Sequence, residues 1–348
     1  MVADDGNVFG NVWFGPGGPS SMPVMWQPGG GITVLPTVPG ATTTVGGLDR
    51  RGVVIGEAVD GEGVSRAVVW DRGRAIVLPS LGGSRSWISA GDSEGVHVGV
   101  SATPDGKNHA VRWDRTGRIT RLDELSRSIA SSAADLDDTG LITGAVEFSP
   151  GESRAVIWDR YGHVVTLPDL GGRFNEASTI SRSGKILGIA DHPDQASCDC
   201  HNTVYWNRSG RLTDLGLPFG AISTRPDGGI NRSGMIAGTA HFSPQDQVSH
   251  VIRWDRDDRP ADLGTLGGTW SIARGINDRG AVIGDADTGA LYASHAVYWD
   301  PSGRAYDLGA LPGSNWSSVS DLNDHDVVVG FSQDPQTWSG RAVKWRRW

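Results

Sequence analysis

A tryptophan closing a short apolar run recurs eight times along the 348 residues, at Trp26, Trp70, Trp113, Trp158, Trp206, Trp254, Trp299 and Trp345. The steps between them are 44, 43, 45, 48, 48, 45 and 46 residues. A period held this tightly confines the chain to architectures that repeat one supersecondary unit. Three other elements keep the same beat. An apolar run closes on Gly10, Gly56, Gly99, Gly144, Gly188, Gly238, Gly284 and Gly330. A run closing on Leu-Pro or Leu-Gly ends at Pro36, Pro79, Pro168, Gly216, Gly264 and Gly309, with a degenerate copy near Leu125. A fourth run, such as SIARGIN at residues 271–277, leads into an Asx-Gly or Ser-Gly turn.

Each unit therefore holds four short runs rich in Val, Ile, Trp and Thr, separated by turns such as INDRG, INRSG and WDRTG. Runs of that length joined by such turns are antiparallel hairpins. No segment sustains a 3.6-residue apolar period, so helix is expected to be nearly absent. Four antiparallel strands in a repeat of roughly 45 residues are the signature of a β-propeller blade. A solenoid would need end repeats with a polar outer face, whereas here the end units look like the middle ones. An all-β propeller also leaves few exposed sheet edges. We read residues 1–348 as one such domain.

With the strands named a to d in each unit, a precedes the INDRG-type turn, b carries the glycine, c ends in tryptophan and d ends in Leu-Gly or Leu-Pro. The chain opens on VADDG, the tail of an a strand, and closes on a c strand. Eight blades are expected, the first short of its inner strand and the last short of its outer one. Seven blades are the alternative, with residues 33–36 completing the blade of residues 316 to 347 as an N-terminal closing strand.

Composition narrows the function classes. Fifty glycines and 18 prolines would suit disorder, but 14 tryptophans do not, so the chain reads as folded and turn-rich. The net charge is −9 with both signs interspersed and no basic block, which argues against nucleic acid as a partner. No apolar run approaches the ~20 residues of a membrane helix, so no membrane partner is expected. The opening MVADDGNVFGNVWFG lacks the charged and apolar regions of a secretory signal. A monomer without a cofactor is the expectation.

DLGTLGG, then S-x-A-x-x-IN-x-x-G-x-V-x-G, then His-Ala-Val-x-Trp at His109–Trp113 and His295–Trp299, resemble the extracellular repeat family called HAF. The resemblance covers all eight units, most clearly those ending at Trp70, Trp113, Trp254 and Trp299. It implies a propeller-like repeat protein and secretion, and no catalytic residues.

The glycine-rich LGG stretches ending at Gly83, Gly172 and Gly268 recur between outer and inner strands, with no helix after them. They are turn punctuation and not phosphate cradles. Four residues before each tryptophan lies a mostly cationic column, Arg66, His109, Arg154, His250, His295 and Arg341, with Met22 and Asn202 as exceptions. A feature shared by nearly every unit is read as answering a need within each blade. DLDDTG, ending at Gly140, occupies the same turn as INDRG and lacks the closing glutamate of a calcium loop. Cys198, Cys200 and His201, with His192 nearby, form a candidate metal cluster, set against a local disulfide or two free thiols; no metal is the reading taken.

Function is sought where units depart from the repeat. At the entrances of the a strands these departures are Arg85, Trp87, Arg127, Phe174, Glu176, Arg225, Asp227, Trp270, Arg274 and Trp316. Aromatics and arginines at a propeller's channel mouth, Arg85, Trp87, Phe174, Arg225, Trp270, Arg274 and Trp316, suit a binding module for a small polar or anionic ligand or a protein partner. Glu176 and Asp227 are the acid–base candidates of an alternative lyase, hydrolase or cyclase. A purely structural surface protein is the third reading.

Overall fold

A computed structural model describes residues 1–13, 21–195, 200–243, 247–333 and 339–346. They form eight antiparallel sheets of a β-propeller, and among the described residues the helices are two single 3₁₀ turns, Pro193–Gln195 and Pro218–Gly220. The sheets are β1–β3 (Val8–Val12, Met22–Trp26, Ile32–Val34), β4–β7 (Ala41–Leu48, Val54–Asp60, Ser65–Asp71, Arg74–Val77) and β8–β11 (Ser86–Gly91, His97–Ala102, Asn108–Trp113, Ile119–Arg121). Next come β12–β15 (Ala130–Leu136, Ile142–Ser149, Glu152–Trp158, Val164–Thr166) and β16–β19 (Asn175–Ile180, Ile186–Ala190, Asn202–Trp206, Leu212–Asp214). The last three are β20–β23 (Ser223–Ile230, Ile236–His241, Ser249–Trp254, Pro260–Asp262), β24–β27 (Ser271–Ile276, Val282–Asp287, Ser294–Trp299, Ala305–Asp307) and β28–β30 (Ser317–Leu322, Val327–Gln333, Gly340–Arg346).

Strand order within each sheet follows the sequence, so every link is a hairpin. Among the described residues six sheets have four strands, and β1–β3 shows no inner strand and β28–β30 no outer one, as the eight-blade reading expects. The seven-blade alternative is corrected by β3. It pairs with β2, Val34 opposite Val24 and Ile32 opposite Trp26, and so completes its own sheet. The chain divides into two compact units, one of Asp5–Asp169 with Arg173–Ile180, the other of Met1–Asp4, Leu170–Gly172 and Ser181–Trp348.

The repeat residues carry the packing. Trp113, Trp158, Trp206, Trp254 and Trp299 are fully buried. Trp158 sits in a cluster with Leu136, Ile142 and, from the preceding sheet, Val98 and Leu122. Its indole N–H donates to the Asp123 carbonyl at 2.7 Å, which satisfies the polar edge of a side chain that buries roughly 200 Å². The glycine of the b strand makes room for this ring. An added Cβ at Gly144 would lie 2.0 Å from the Ser132 carbonyl oxygen and 2.9 Å from Cζ3 of Trp158. The inner strand presses this close because it bulges there, its register shifting between Ala133 and Asp135.

One tie between neighbouring sheets recurs at the same place of the inner strand. The Ala110 N–H donates to Ser131 Oγ at 2.8 Å, Ala155 to Asn175 Oδ1 at 2.6 Å, Val251 to Ser271 Oγ at 2.9 Å and Ala296 to Ser317 Oγ at 3.0 Å. That is the work of the serine in S-x-A. The turns are held by their Asx residue: Asp137 Oδ1 accepts from the amides of Thr139 and Leu141, making DLDDTG a structural turn. In the LGG turns the second-last residue has the left-handed φ, 105° at Gly267, and the last lies against the next hairpin, where a Cβ on Gly268 would meet Asp287.

In the second unit the first residues extend this scheme. Val2 N–H donates to Asp321 Oδ2 at 2.8 Å and Asn323 Nδ2 to the Ala3 carbonyl at 3.1 Å. These repeat the Ile180-to-Asp135 bond at 2.9 Å and the Asn277-to-Asn323 bond at 3.2 Å. VADDG thus does behave as the tail of an inner strand.

Candidate functional site

A cavity of about 230 Å³ opens in the first unit at the entrances of three successive inner strands. Trp87 reaches it from β8, Ala130, Ser131 and Ser132 from β12, and Phe174 and Glu176 from the start of β16. The hairpin β13–β14 adds Glu147, Glu152 and Ser153, and Asn108 comes from β10. Aligning the repeats on the serine of S-x-A explains why a cavity forms here. Trp87, Ser132 and Glu176 each follow that residue (Ser86, Ser131 and Asn175), and Arg85, Ala130 and Phe174 each precede it. The middle sheet has two small side chains where its neighbours carry large ones. The gap is walled by Trp87 on one side and Phe174 on the other.

The lining is acidic. It holds three glutamates and no lysine, arginine or histidine. Glu152 is partnered, accepting from Ser149 Oγ at 2.9 Å and lying 3.7 Å from the Arg173 guanidinium. The side-chain carboxylates of Glu147 and Glu176 meet no cation and no hydrogen-bond donor among the described residues. Burial pushes the Glu176 carboxyl above its ordinary range, and the Glu147 carboxylate pushes the same way. Beside the cavity, Arg85 donates to Asn108 Oδ1 at 3.1 Å, with its guanidinium 6.0 Å from the Trp87 ring centre.

The structure thus brings Trp87, Phe174 and Glu176 together and places Arg85 at their edge. The other expected residues belong to the second unit, where they are dispersed. Arg274 donates to Asp285 Oδ2 at 3.1 Å, and that carboxylate also accepts from Ser318 Oγ and the Val319 amide. Arg225 is half-buried on β20 and Asp227 is exposed. Trp270 borders a shallow depression beside the exposed Leu291 and Tyr292. Trp316 packs edge-on against Phe331, ring centres 5.0 Å apart. Of the remaining departure, Arg127, the backbone holds a left-handed φ of 69°.

In five sheets the column residue meets an acid, while Arg66 donates to the Ser65 carbonyl. His109 pairs with Glu124, His250 with Asp262 at 2.8 Å, His295 with Asp307 at 2.9 Å and Arg154 with Asp169 at 3.6 Å. Asn202 does the same for Asp214 at 3.0 Å. In each case the column residue on the c strand holds an acid from the outer strand or just beyond it. Of the candidate metal cluster, Cys200 is disulfide-bonded and so offers no thiolate, and Cys198 lies outside the described residues. His201 is buried, and His192 lies 3.2 Å from Asp214.

Glu147 escaped the sequence reading. It lies three residues after Gly144, where other units carry Val59, Ala102, Asp191, His241, Asp287 and Gln333. That position varies as freely as the inner-strand entrances, and following it would have found the second carboxylate.

Solved structures share the fold. The β-propeller domain of the Trilobed protease from Pyrococcus furiosus, described as having an open velcro topology, matches at 12% identity and a TM-score of 0.58, covering 88% of this chain and 95% of that one. A puromycin-hydrolyzing peptidase of Mycobacterium tuberculosis matches at 15% identity and 0.58, over 96% of this chain and 57% of its own. Puromycin hydrolase matches at 14% and 0.56, over 97% and 58%. The chain therefore spans less than two thirds of the length of the two hydrolases, and identities this low carry the β-propeller fold alone. No protein-family model matches the sequence, and no curated protein does.

Proposed function

We propose that this propeller is a binding module for a small organic cation, held between Trp87 and Phe174 and neutralised by Glu147 and Glu176. The supporting observation is the pair of carboxylates without a cation in a cavity walled by two aromatic rings. A cation over an aromatic face in a desolvated site contributes about 2 kcal/mol, and charge-assisted bonds to carboxylate are the stronger kind. Three glutamates in the lining support a cationic ligand rather than an anionic one among the small polar or anionic ligands and protein partners first considered. The cavity is smaller than the ~300–1,000 Å³ of common ligand clefts, so it suits an ammonium or guanidinium group with a short carbon frame. The quoted repeats further support a place in the HAF family, and the bonded Cys200 fits the oxidising compartment that this family's name implies.

Calorimetry with small amines, guanidines and quaternary ammonium ions, against a sulfonate of equal size, tests the reading. The cations are expected to bind and the sulfonate not. Ala130→Trp should fill the gap and abolish binding while leaving the fold intact. Glu176→Gln should weaken it about tenfold, as removal of one charged partner does. Equal binding by Glu176→Gln would refute the role given to the carboxylates.

A pH dependence follows from the raised Glu176. The folded state holds this proton to higher pH than the unfolded chain does. Its contribution therefore makes stability fall as pH rises from the ordinary glutamate range through the raised folded value. Glu176→Gln should flatten that fall and raise the melting temperature at neutral pH. A bound cation favours the carboxylate, so binding in the pH range where Glu176 still holds its proton should release it. Heats of binding in two buffers of different ionisation enthalpy would show this.

The raised Glu176 carboxyl beside a second carboxyl favours a second reading, a hydrolase or lyase with Glu176 as general acid and Glu147 as its partner. Turnover abolished by Glu176→Gln, with substrate still bound, would decide for it.

A further inference from the structure

We propose that the cation held between Trp87 and Phe174 is a guanidinium group, with one forked edge on Glu147 and another on Glu176. The inference rests on the cation-binding reading above and narrows its ligand to one class. Hydrogen bonding around the cavity carries it. Ser131 Oγ accepts from the Ala110 amide and donates to Glu124 at 3.0 Å, and Ser153 Oγ donates to the Asn175 carbonyl at 3.0 Å. Asn108 Oδ1 is taken by Arg85, and Glu152 by Ser149. The side-chain donors left in the lining are the Trp87 indole N–H, the Asn108 amide and the Ser132 hydroxyl. None of them bonds Glu147 or Glu176, whose carboxylates therefore require a ligand that brings donors as well as charge.

Three kinds of organic cation differ in what they bring. A quaternary ammonium has charge but no N–H, and would leave those oxygens unserved as they lose water. A primary ammonium carries its three donors on one strongly hydrated nitrogen, and burial favours loss of its proton. A guanidinium keeps its charge, is weakly hydrated and spreads up to five N–H groups in one plane. Its forked edges pair bidentately with carboxylates, so one planar group serves two glutamates while its faces meet the two rings.

The contacts already made at the rim are of the same kind. The cations beside the cavity are the guanidinium groups of Arg85, 6.0 Å from the Trp87 ring centre, and Arg173, 3.7 Å from Glu152. Neither is paired with Glu147 or Glu176.

Calorimetry on the full-length protein would compare methylguanidinium, ethylammonium, tetramethylammonium and N,N-dimethylguanidinium, whose doubly methylated nitrogen removes the second forked edge. Methylguanidinium should bind at least about tenfold more tightly than ethylammonium and about a hundredfold more tightly than tetramethylammonium. The dimethyl compound should bind about tenfold more weakly than methylguanidinium in the native protein, and equally well in Glu147→Gln, where one carboxylate is gone. N-acetylargininamide separates the two sources of this group. Tighter binding than methylguanidinium supports an arginine side chain of a polypeptide, and weaker binding supports a free guanidine. Ethylammonium or tetramethylammonium binding as tightly as methylguanidinium would overturn the guanidinium and leave the cation site in place. So would a dimethyl penalty that persists in Glu147→Gln. Absence of binding by every one of these cations would refute the cation site itself.

Discussion

Gly144→Ala is expected to destabilise the protein by about 3 kcal/mol or more, at the upper end of what overpacking does. The new methyl carbon would stand 2.0 Å from a backbone carbonyl on one side and 2.9 Å from an indole carbon on the other. Neither can yield alone, because Ser132 belongs to a strand whose bulge fixes its register and Trp158 is fully buried. The same squeeze recurs at Gly56, Gly284 and Gly330, with carbonyl oxygens 2.0 to 2.1 Å from the added carbon. Urea unfolding would measure the loss, with Gly61→Ala as a control, since nothing lies within 4 Å of that position and its φ is not left-handed. A loss below about 1 kcal/mol at Gly144, under the usual cost of overpacking, would show that the inner strand gives way.

Trp158→Ala should cost about 3–5 kcal/mol, because the ring's removal opens a void beside Leu122 and Ile142 and leaves the Asp123 carbonyl without its donor. Trp158→Phe separates the two contributions, keeping most of the packing and losing the bond. It should cost less, with about 1 kcal/mol assigned to the unmade hydrogen bond. Equal losses for Phe and Ala would make the indole N–H the larger partner. Against a total stability of about 5–15 kcal/mol, either tryptophan or glycine substitution removes a large fraction of the fold's margin.

The fold was legible because its causes are local. A tryptophan needs a glycine opposite, a turn needs an Asx or Ser residue, and each need returns with every unit, so period alone exposes them. The site was legible only in part. Trp87, Phe174 and Glu176 stood out by departing from the pattern, but the cavity depends equally on Ala130 and Ser132, whose smallness draws no notice. Arg274 departs from the pattern as visibly, yet it answers to Asp285 within its own sheet. A departure says that something differs. Whether it faces a neighbour or a void is decided by the next sheet, which sequence separation conceals.

The single-atom ties between sheets carry an implication for how such proteins diversify. At Ser131 and Ser271 the serine of S-x-A is committed to its neighbour's amide, while the residues before and after it there are not. A recess can therefore be opened or closed by exchanging two side chains on one inner strand, as Ala130 and Ser132 differ from Trp270 and Ile272, with the tie at Ser131 or Ser271 undisturbed. Selection, or a designer, could move a binding site from sheet to sheet of this chain without renegotiating its fold.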